Sequence, residues 1–341
     1  MAGWGTTGTG DYTPEALLFT DRYYRPKFVD QLYNSNATLY MLRKGAKLIS
    51  GGTSIEVPSL VANTGNFSFH TKAETYTASD VDQFDAARFE WKLAQQPVVI
   101  FEQDLLMNGD SKERRLSHVA ARNMAAALEM GDGIGDALYD TDHTADSAID
   151  SIDHAVDDAA GDGIGTNNFT YGAITRQTTG VHALWNSNID DTTTTTSLGA
   201  IQTSYGSATE GSEHPNLGVT SQVGFNRLWV LYSPFQRIGT DLDGKLGFQS
   251  LNVNGQPVVV DSHVPRAAGA NTTGAVGTGP DFFYWLNLNH LYMVAHKQAF
   301  FTFRASPMPV NQWVNIGHYH FMGNVVCDAP RYQAKMSALV A

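Results

Sequence analysis

Cysteine is almost absent from this chain: Cys327 is the single one in 341 residues. That excludes an intrachain disulfide framework, and the Val325-Val326 run before it marks the thiol as a small core group in a protein kept under reducing conditions. Charge is scarce as well, at 16% of residues where roughly a quarter is usual for a soluble chain. A surface so poor in charge needs another cover, and contacts between subunits would supply it. Nowhere do eighteen apolar residues run together, and Met1 to Pro14 shows no basic stretch followed by an apolar one. Neither a membrane span nor a standard secretory signal is therefore expected.

Lysine and arginine vanish between Arg122 and Arg176, where Asp132, Asp136, Asp140, Asp142, Asp146, Asp150, Asp153, Asp157, Asp158 and Asp162 stand, and the whole chain carries a net charge of -12. Such a stretch repels a phosphate backbone, and no basic cluster surrounds the tryptophans, which argues against sequence-specific nucleic-acid recognition. Catalytic templates find no anchor either: there is no GxSxG elbow, HExxH helix or CxxC pair. Gly239 to Lys245 matches GxxxxGK, but Leu246 stands where a hydroxyl should reach magnesium, and Asp241 and Asp243 would repel phosphate. The same two aspartates fail as a calcium loop, because Lys245 takes the third ligand position and Asn252 the place of the bidentate Glu. In the acidic stretch carboxylates suited to a loose calcium contact are present without ordered spacing. His318 and His320 fall on one side of a strand with no third ligand nearby, so they read, like His290 and His296, as core or interface histidines. No catalytic, cofactor-binding or metal-binding set emerges.

What is present is an ordered series of elements. Met1 to Lys47 opens Gly/Thr-rich and continues with Tyr23, Tyr24, Leu39 and Leu42, slightly basic through Arg22, Arg25, Lys27, Arg43, Lys44 and Lys47. It reads as an arm that needs a surface to lie on. From Ile49 to Gln96, alternation at Phe67 and Phe69 and again at Phe89, Trp91 and Leu93 predicts two extended limbs joined by a polar tip at Ala73 to Asp85. A two-stranded ribbon is marginal alone in water, which suggests a clasp over a partner. Asp110 and Glu113 have capping-box spacing, and Leu116, Val119, Asn123, Ala127 and Met130 share one helical face, so a helix is expected from Ser111 to Met130 with Gly131 as its stop. GDGIG occurs at Gly131 and again at Gly161, with a short helix expected between them at Ile149, Ile152 and Val156. Ser197 to Glu210 reads as helical. Then come a glycine-turn strand (Phe248 to Pro265), two apolar strands (Phe282 to Phe303) and a long amphipathic strand closing on a Pro-Arg turn (Val310 to Arg331). Trp91, Trp185, Trp229, Trp285 and Trp313 lie in apolar or alternating runs and read as core. Helices mixed with long strands imply an α+β fold.

This order, with PVVIFEQDLLMNG (Pro97 to Gly109) leading into the long helix, YGAITR (Tyr171 to Arg176), GFQSLNVNGQPVVVD (Gly247 to Asp261) and NVVCDAPR (Asn324 to Arg331), resembles the major capsid protein of tailed bacteriophages, whose fold is shared with encapsulin shells. The acidic stretch from Thr141 to Gly165 has no residue-by-residue counterpart in that resemblance. It implies an N-terminal arm (1–48), an extended loop (49–96), a peripheral domain (97–179 and 297–341) built on a spine helix at about 110–130, and an axial domain (180–296). Subunits would form pentamers and hexamers, close an icosahedral shell around double-stranded DNA, and reside in the virion capsid after assembly in the host cytoplasm. A separate scaffolding protein, a portal and decoration proteins are the implied partners, with no membrane and no cofactor. Candidate subunit contacts are Tyr23, Tyr24, Phe67, Phe69, Lys72, Tyr76 and Arg331. Some family members join subunits through a Lys and an Asn side chain; Lys72 lies near the loop tip, and no motif marks a partner. Two other functions compete: an encapsulin-like compartment loaded with enzyme cargo, and an α+β enzyme whose Asp-rich stretch binds a metal.

Overall fold

The computed structural model describes residues 36–60, 66–75, 78–80, 82–103, 118–140, 147–160, 169–191, 197–233, 251–265, 281–305 and 313–339. In chain order its elements are α1 (Ala37–Lys44), β1 (Lys47–Ile49), β2 (Ile55–Leu60), β3 (Phe84–Phe89), β4 (Lys92–Phe101), α2 (His118–Leu138), α3 (Ile152–Ala155), β5 (Thr170–Tyr171), β6 (Ile174–Thr175) and β7 (Asn188–Asp190). They continue with α4 (Leu198–Ser207), β8 (Leu217–Thr220), α5 (Gln222–Tyr232), β9 (Leu251–Val253), β10 (Gln256–Val260), β11 (Asp281–Leu286), β12 (Leu291–His296), β13 (Thr302–Ala305), β14 (Val314–Cys327) and β15 (Ala334–Leu339).

Two sheets organise the chain. One runs β7-β15-β11-β8-β10-β9; the other runs β1-β12-β14-β13, with β4 also paired to β14. The glycine turn expected in the C-terminal third is there: Asn254 and Gly255 both adopt positive φ, +52° and +79°, in the two-residue connection of β9 to β10. Two successive left-handed residues match the strand twist of a tight hairpin, which is why Asn-Gly suits that place. Strand β11 is buried at every position. Phe282, Tyr284 and Leu286 face one core, shared with α1, α2, β12 and β14, while Phe283 and Trp285 face a second, shared with α4 and α5. A continuous apolar run is what a strand covered on both faces requires. The chain joins the two sheets twice, passing from β11 in one to β12 in the other and back from β14 to β15.

Helix α2 does not stop at Gly131; it continues through Gly133 and Gly135 to Leu138. Each glycine costs a helix about 1 kcal/mol relative to alanine. Ala126, Met130, Ile134 and Leu138, four residues apart, are all buried, and this apolar stripe outweighs that cost. Of the face expected for this helix, Val119 and Ala127 are in fact exposed, because the buried stripe passes through Ala126 instead. Gly135 has its own reason: a Cβ there would lie 2.2 Å from Asn36 Nδ2 and 2.9 Å from the His263 ring. Asp110 and Leu116, the second GDGIG and the Gly239 to Lys245 turn lie outside the described residues.

The middle of the acidic stretch lies in the core. Ile149, Ile152 and Val156 are buried, with the short helix between them, and every residue from Ser151 to Asp157 is buried too. Ser151 Oγ accepts from the His154 N–H and caps α3. A buried carboxylate needs a partner, and this stretch holds no cation of its own. The partners arrive from elsewhere in the chain. Lys335 Nζ lies 2.9 Å from Asp153 Oδ1, where the Tyr284 hydroxyl also donates at 2.8 Å. Arg176 Nη2 donates to the carbonyls of His154 (2.8 Å) and Ala155 (3.0 Å); burial lowers its pKa, and the charge of Asp157 works the other way. Cys327 is the core thiol expected, fully buried, with its pKa pushed by burial up to about 12. Among the tryptophans, Trp185 and Trp285 are core, whereas Trp313 is 54% exposed.

Candidate assembly surfaces

The ribbon is shorter than the alternation suggests. β2 and β3 pair antiparallel from Ile55 opposite Phe89 to Leu60 opposite Phe84. Leu93 belongs instead to β4, which finds ten register partners in β14, from Lys92 opposite Gly323 to Phe101 opposite Val314. At its root the ribbon is anchored: Ile55, Ala87 and Phe89 are buried, and the Phe89 ring meets Tyr171 edge-on at 5.1 Å. Gly172, at φ +59°, lets the turn between β5 and β6 approach so closely that a Cβ would sit 2.8 Å from the Phe89 ring. There the Arg88 N–H donates to the Gly172 carbonyl at 2.8 Å.

Further out the ribbon presents apolar groups to solvent. Phe67 is 83% and Phe69 91% exposed, their rings 5.2 Å apart in an edge contact, and Leu60 and Phe84, opposite each other at the end of β2 and β3, are exposed as well. The loops around them are nonetheless tied: Asn66 Nδ2 donates to the Ser79 carbonyl, and Asn66 Oδ1 accepts from both the Ser79 N–H and its hydroxyl. Across the ribbon Arg88 Nη2 meets Glu56 Oε1 at 2.9 Å. Lys72 is exposed near the tip.

A second exposed apolar surface is one face of the β4-β14 sheet. Val98, Ile100 and Tyr319 face the side of Ala126 on α2. Leu93, Val99 and Phe101 alternate onto the opposite face and are exposed. His318 and His320 lie on that face as well, opposite Pro97 and Gln95, with rings 5.8 Å apart. Sequence reasoning missed Leu93, Phe101 and Trp313 as surface groups. The run of apolar residues in β4 looks like a strand buried on both sides, and alternation tells which residues share a face without telling whether that face is covered. Of the other candidate contacts, Arg331 sits in the Pro330–Tyr332 turn with Nη1 3.3 Å from Glu210 Oε2 and its guanidinium over the Tyr332 ring. Tyr23, Tyr24 and Tyr76 lie outside the described residues.

Chemically these surfaces are suited to contact. Among the described residues no group of three or more His, Cys, Asp or Glu is placed to hold a metal ion, and no helix is long and apolar enough to cross a membrane.

Known structures share this architecture from end to end. The capsid asymmetric unit of cyanophage A-1(L) superposes with a TM-score of 0.65 at 16% identity, covering 97% of this chain and 100% of that one. The chain has the tailed-phage capsid fold. The capsid of the native GTA particle gives a TM-score of 0.60 at 12% identity, covering 96% of this chain and 98% of that one. The same capsid fold is seen in the SrpI encapsulin of Synechococcus elongatus, with a TM-score of 0.55, 7% identity and 96% of each chain covered. No protein-family model matches the sequence, and no curated protein sequence matches it. The expected α+β class and capsid architecture are thus both present. Within this capsid fold the ribbon and the β4-β14 sheet are continuous, since only Glu90 and Trp91 separate β3 from β4.

Proposed function

We propose that this chain is a major capsid protein, a shell subunit that assembles with copies of itself. The observation that carries the reading is the ribbon: Phe67, Phe69, Leu60 and Phe84 are apolar and exposed among the described residues. Burying one such side chain contributes roughly 1.5–3 kcal/mol, and a closed shell repeats each contact many times. In this proposal the subunits form pentamers and hexamers that enclose double-stranded DNA; the capsid fold supports self-assembly, and an acidic chain fits DNA held by containment rather than by specific contacts. On this reading the subunit is a structural protein and not an enzyme, it works in the virion capsid after assembly in the host cytoplasm, and a separate scaffolding protein, a portal and decoration proteins act with it. On the same reading most of the six-stranded sheet belongs to the axial domain (180–296), and α2 with most of β4 and β14 to the peripheral one (97–179 and 297–341), while β12 and β15 each pair in the sheet of the other domain. Tyr23 and Tyr24 on the arm, Tyr76 and Lys72 near the ribbon tip, and Arg331 remain candidate contacts.

The test is electron microscopy and sedimentation of the full chain, expressed alone and with candidate scaffolding proteins, followed by digestion with nuclease. Shells, tubes or rings, with protected DNA in particles from infected cells, are the expected result. A uniformly small species under every condition would overturn the shell reading. Closed particles carrying enzyme cargo and no DNA would replace it with the encapsulin-like one.

A further inference from the structure

The crossing of α1, the end of α2 and the loop after β10 is built around one imidazole. The His263 side chain is fully enclosed, with Nδ1 3.0 Å from Asp261 Oδ1 and Nε2 3.0 Å from Asp132 Oδ1; Asp136 Oδ1 lies 4.0 Å from the same Nε2. Asp261 is buried and its second oxygen accepts from the Thr38 N–H at 3.0 Å, in the first turn of α1. The Thr38 hydroxyl then pairs with the Tyr139 hydroxyl at 2.6 Å, just beyond the end of α2. From α2 the titratable groups facing this site are Asp132, Asp136 and Tyr139; from its own loop, Asp261; α1 contributes the uncharged Asn36 and Thr38. A neutral imidazole has one N–H and can donate to only one of the two carboxylates, whereas an imidazolium serves both.

We propose that protonated His263 is a latch that fastens α1, and with it the start of the segment leading back to residue 1, onto α2, and that loss of the proton releases α1. Burial alone lowers the pKa of this imidazole; the hydrogen bonds to Asp261 and Asp132 and the charges of Asp261 and Asp136 outweigh it and hold the pKa above its ordinary value. Burial raises the pKa of Asp261, and the bonds from His263 and Thr38 overcome it and set it below normal. The signs follow from linkage. A raised histidine contributes fully below its unfolded value of about 6.5, and its contribution is lost as pH rises through the folded value. A depressed aspartate contributes above about 3.9 and loses that contribution as pH falls through its folded value. The latch is therefore closed in the weakly acidic range and opens on the alkaline side. If the shell reading holds, this deepens it: raising the pH through the folded value of His263 loosens the base of the arm before the cores respond.

Hydrogen exchange followed by mass spectrometry on the full-length unassembled chain, from pH 6 to pH 10 and corrected for the intrinsic rate, tests the latch without requiring assembly. Protection of residues 37–45 is expected to fall about tenfold or more across the transition while β12 and β14 hold theirs. His263→Gln should show low protection of 37–45 with no pH step. Asp132→Asn, which leaves the neutral imidazole a single carboxylate on Asp261 to serve, should move the step to lower pH. Protection of 37–45 that stays flat to pH 10, the same step in His263→Gln, or an unmoved midpoint in Asp132→Asn would overturn the proposal. Failure to form shells leaves these readouts intact, so the two readings fail separately.

Discussion

The acidic stretch around α3 and the ribbon of β2 and β3 exchange the roles their compositions suggest. One is rich in aspartate and lies in the core; the other is rich in phenylalanine at its outer end and lies in solvent. In the first, cations from distant sequence positions, Lys335 and Arg176, make burial of the acidic segment tolerable. In the second no part of the described chain covers the apolar groups, and on the proposed reading another copy buries them. Composition reports what a segment would do in isolation, and the partner decides where it ends up.

Breaking the comparison at the ribbon should have the largest effect. Replacing Phe67, Phe69 and Phe84 together by serine is expected to abolish particle formation, measured by sedimentation, while shifting the thermal midpoint of the unassembled subunit by no more than about 2 °C, since exposed side chains add little to its stability. A large loss of subunit stability would show that the ribbon serves its own chain. At the core the effect reverses: Asp153→Ala removes the carboxylate 2.9 Å from the buried Lys335 ammonium and should cost about 3–5 kcal/mol in chemical denaturation. The Asp153→Leu, Lys335→Met pair should recover most of it, because two matched apolar groups replace a buried ion pair at little net cost. Gly323→Ala comes next, at about 1–3 kcal/mol, since its Cβ would lie 2.6 Å from the Val294 carbonyl in the β12-β14 pair. The smallest effect belongs to Arg88→Ala, which removes a solvent-exposed pair with Glu56 and should change subunit stability by at most about 1 kcal/mol.

Much of the architecture was legible because local signals and burial agreed. Asn254-Gly255 marked a hairpin, Ser197 capped α4 through the Ala200 N–H, and the unbroken apolar run of β11 signalled a strand covered twice. Legibility failed where distant residues decided the outcome. Gly131 looked like a helix stop because the stripe that carries α2 past it, Ile134 and Leu138, is rewarded only by α1, β12 and the neighbouring core. The pairing of Asp153 was not legible because Lys335 lies 182 positions away. Of the surface candidates, Phe67 and Phe69 are placed as an exposed pair, whereas Leu93 and Phe101 could not be told from core without knowing which face α2 covers.

The ten-residue pairing of β4 with β14 has a mechanical meaning. A tug on the ribbon reaches β4 through Glu90 and Trp91, and its component along the β4 axis acts against the pairing with β14. Its hydrogen bonds are then loaded together, in shear, rather than one after another as in unzipping. A subunit gripped by its ribbon would therefore resist tension along the strand direction far better than a force that peels β4 sideways from its end, which gives any container built this way a preferred direction of strength.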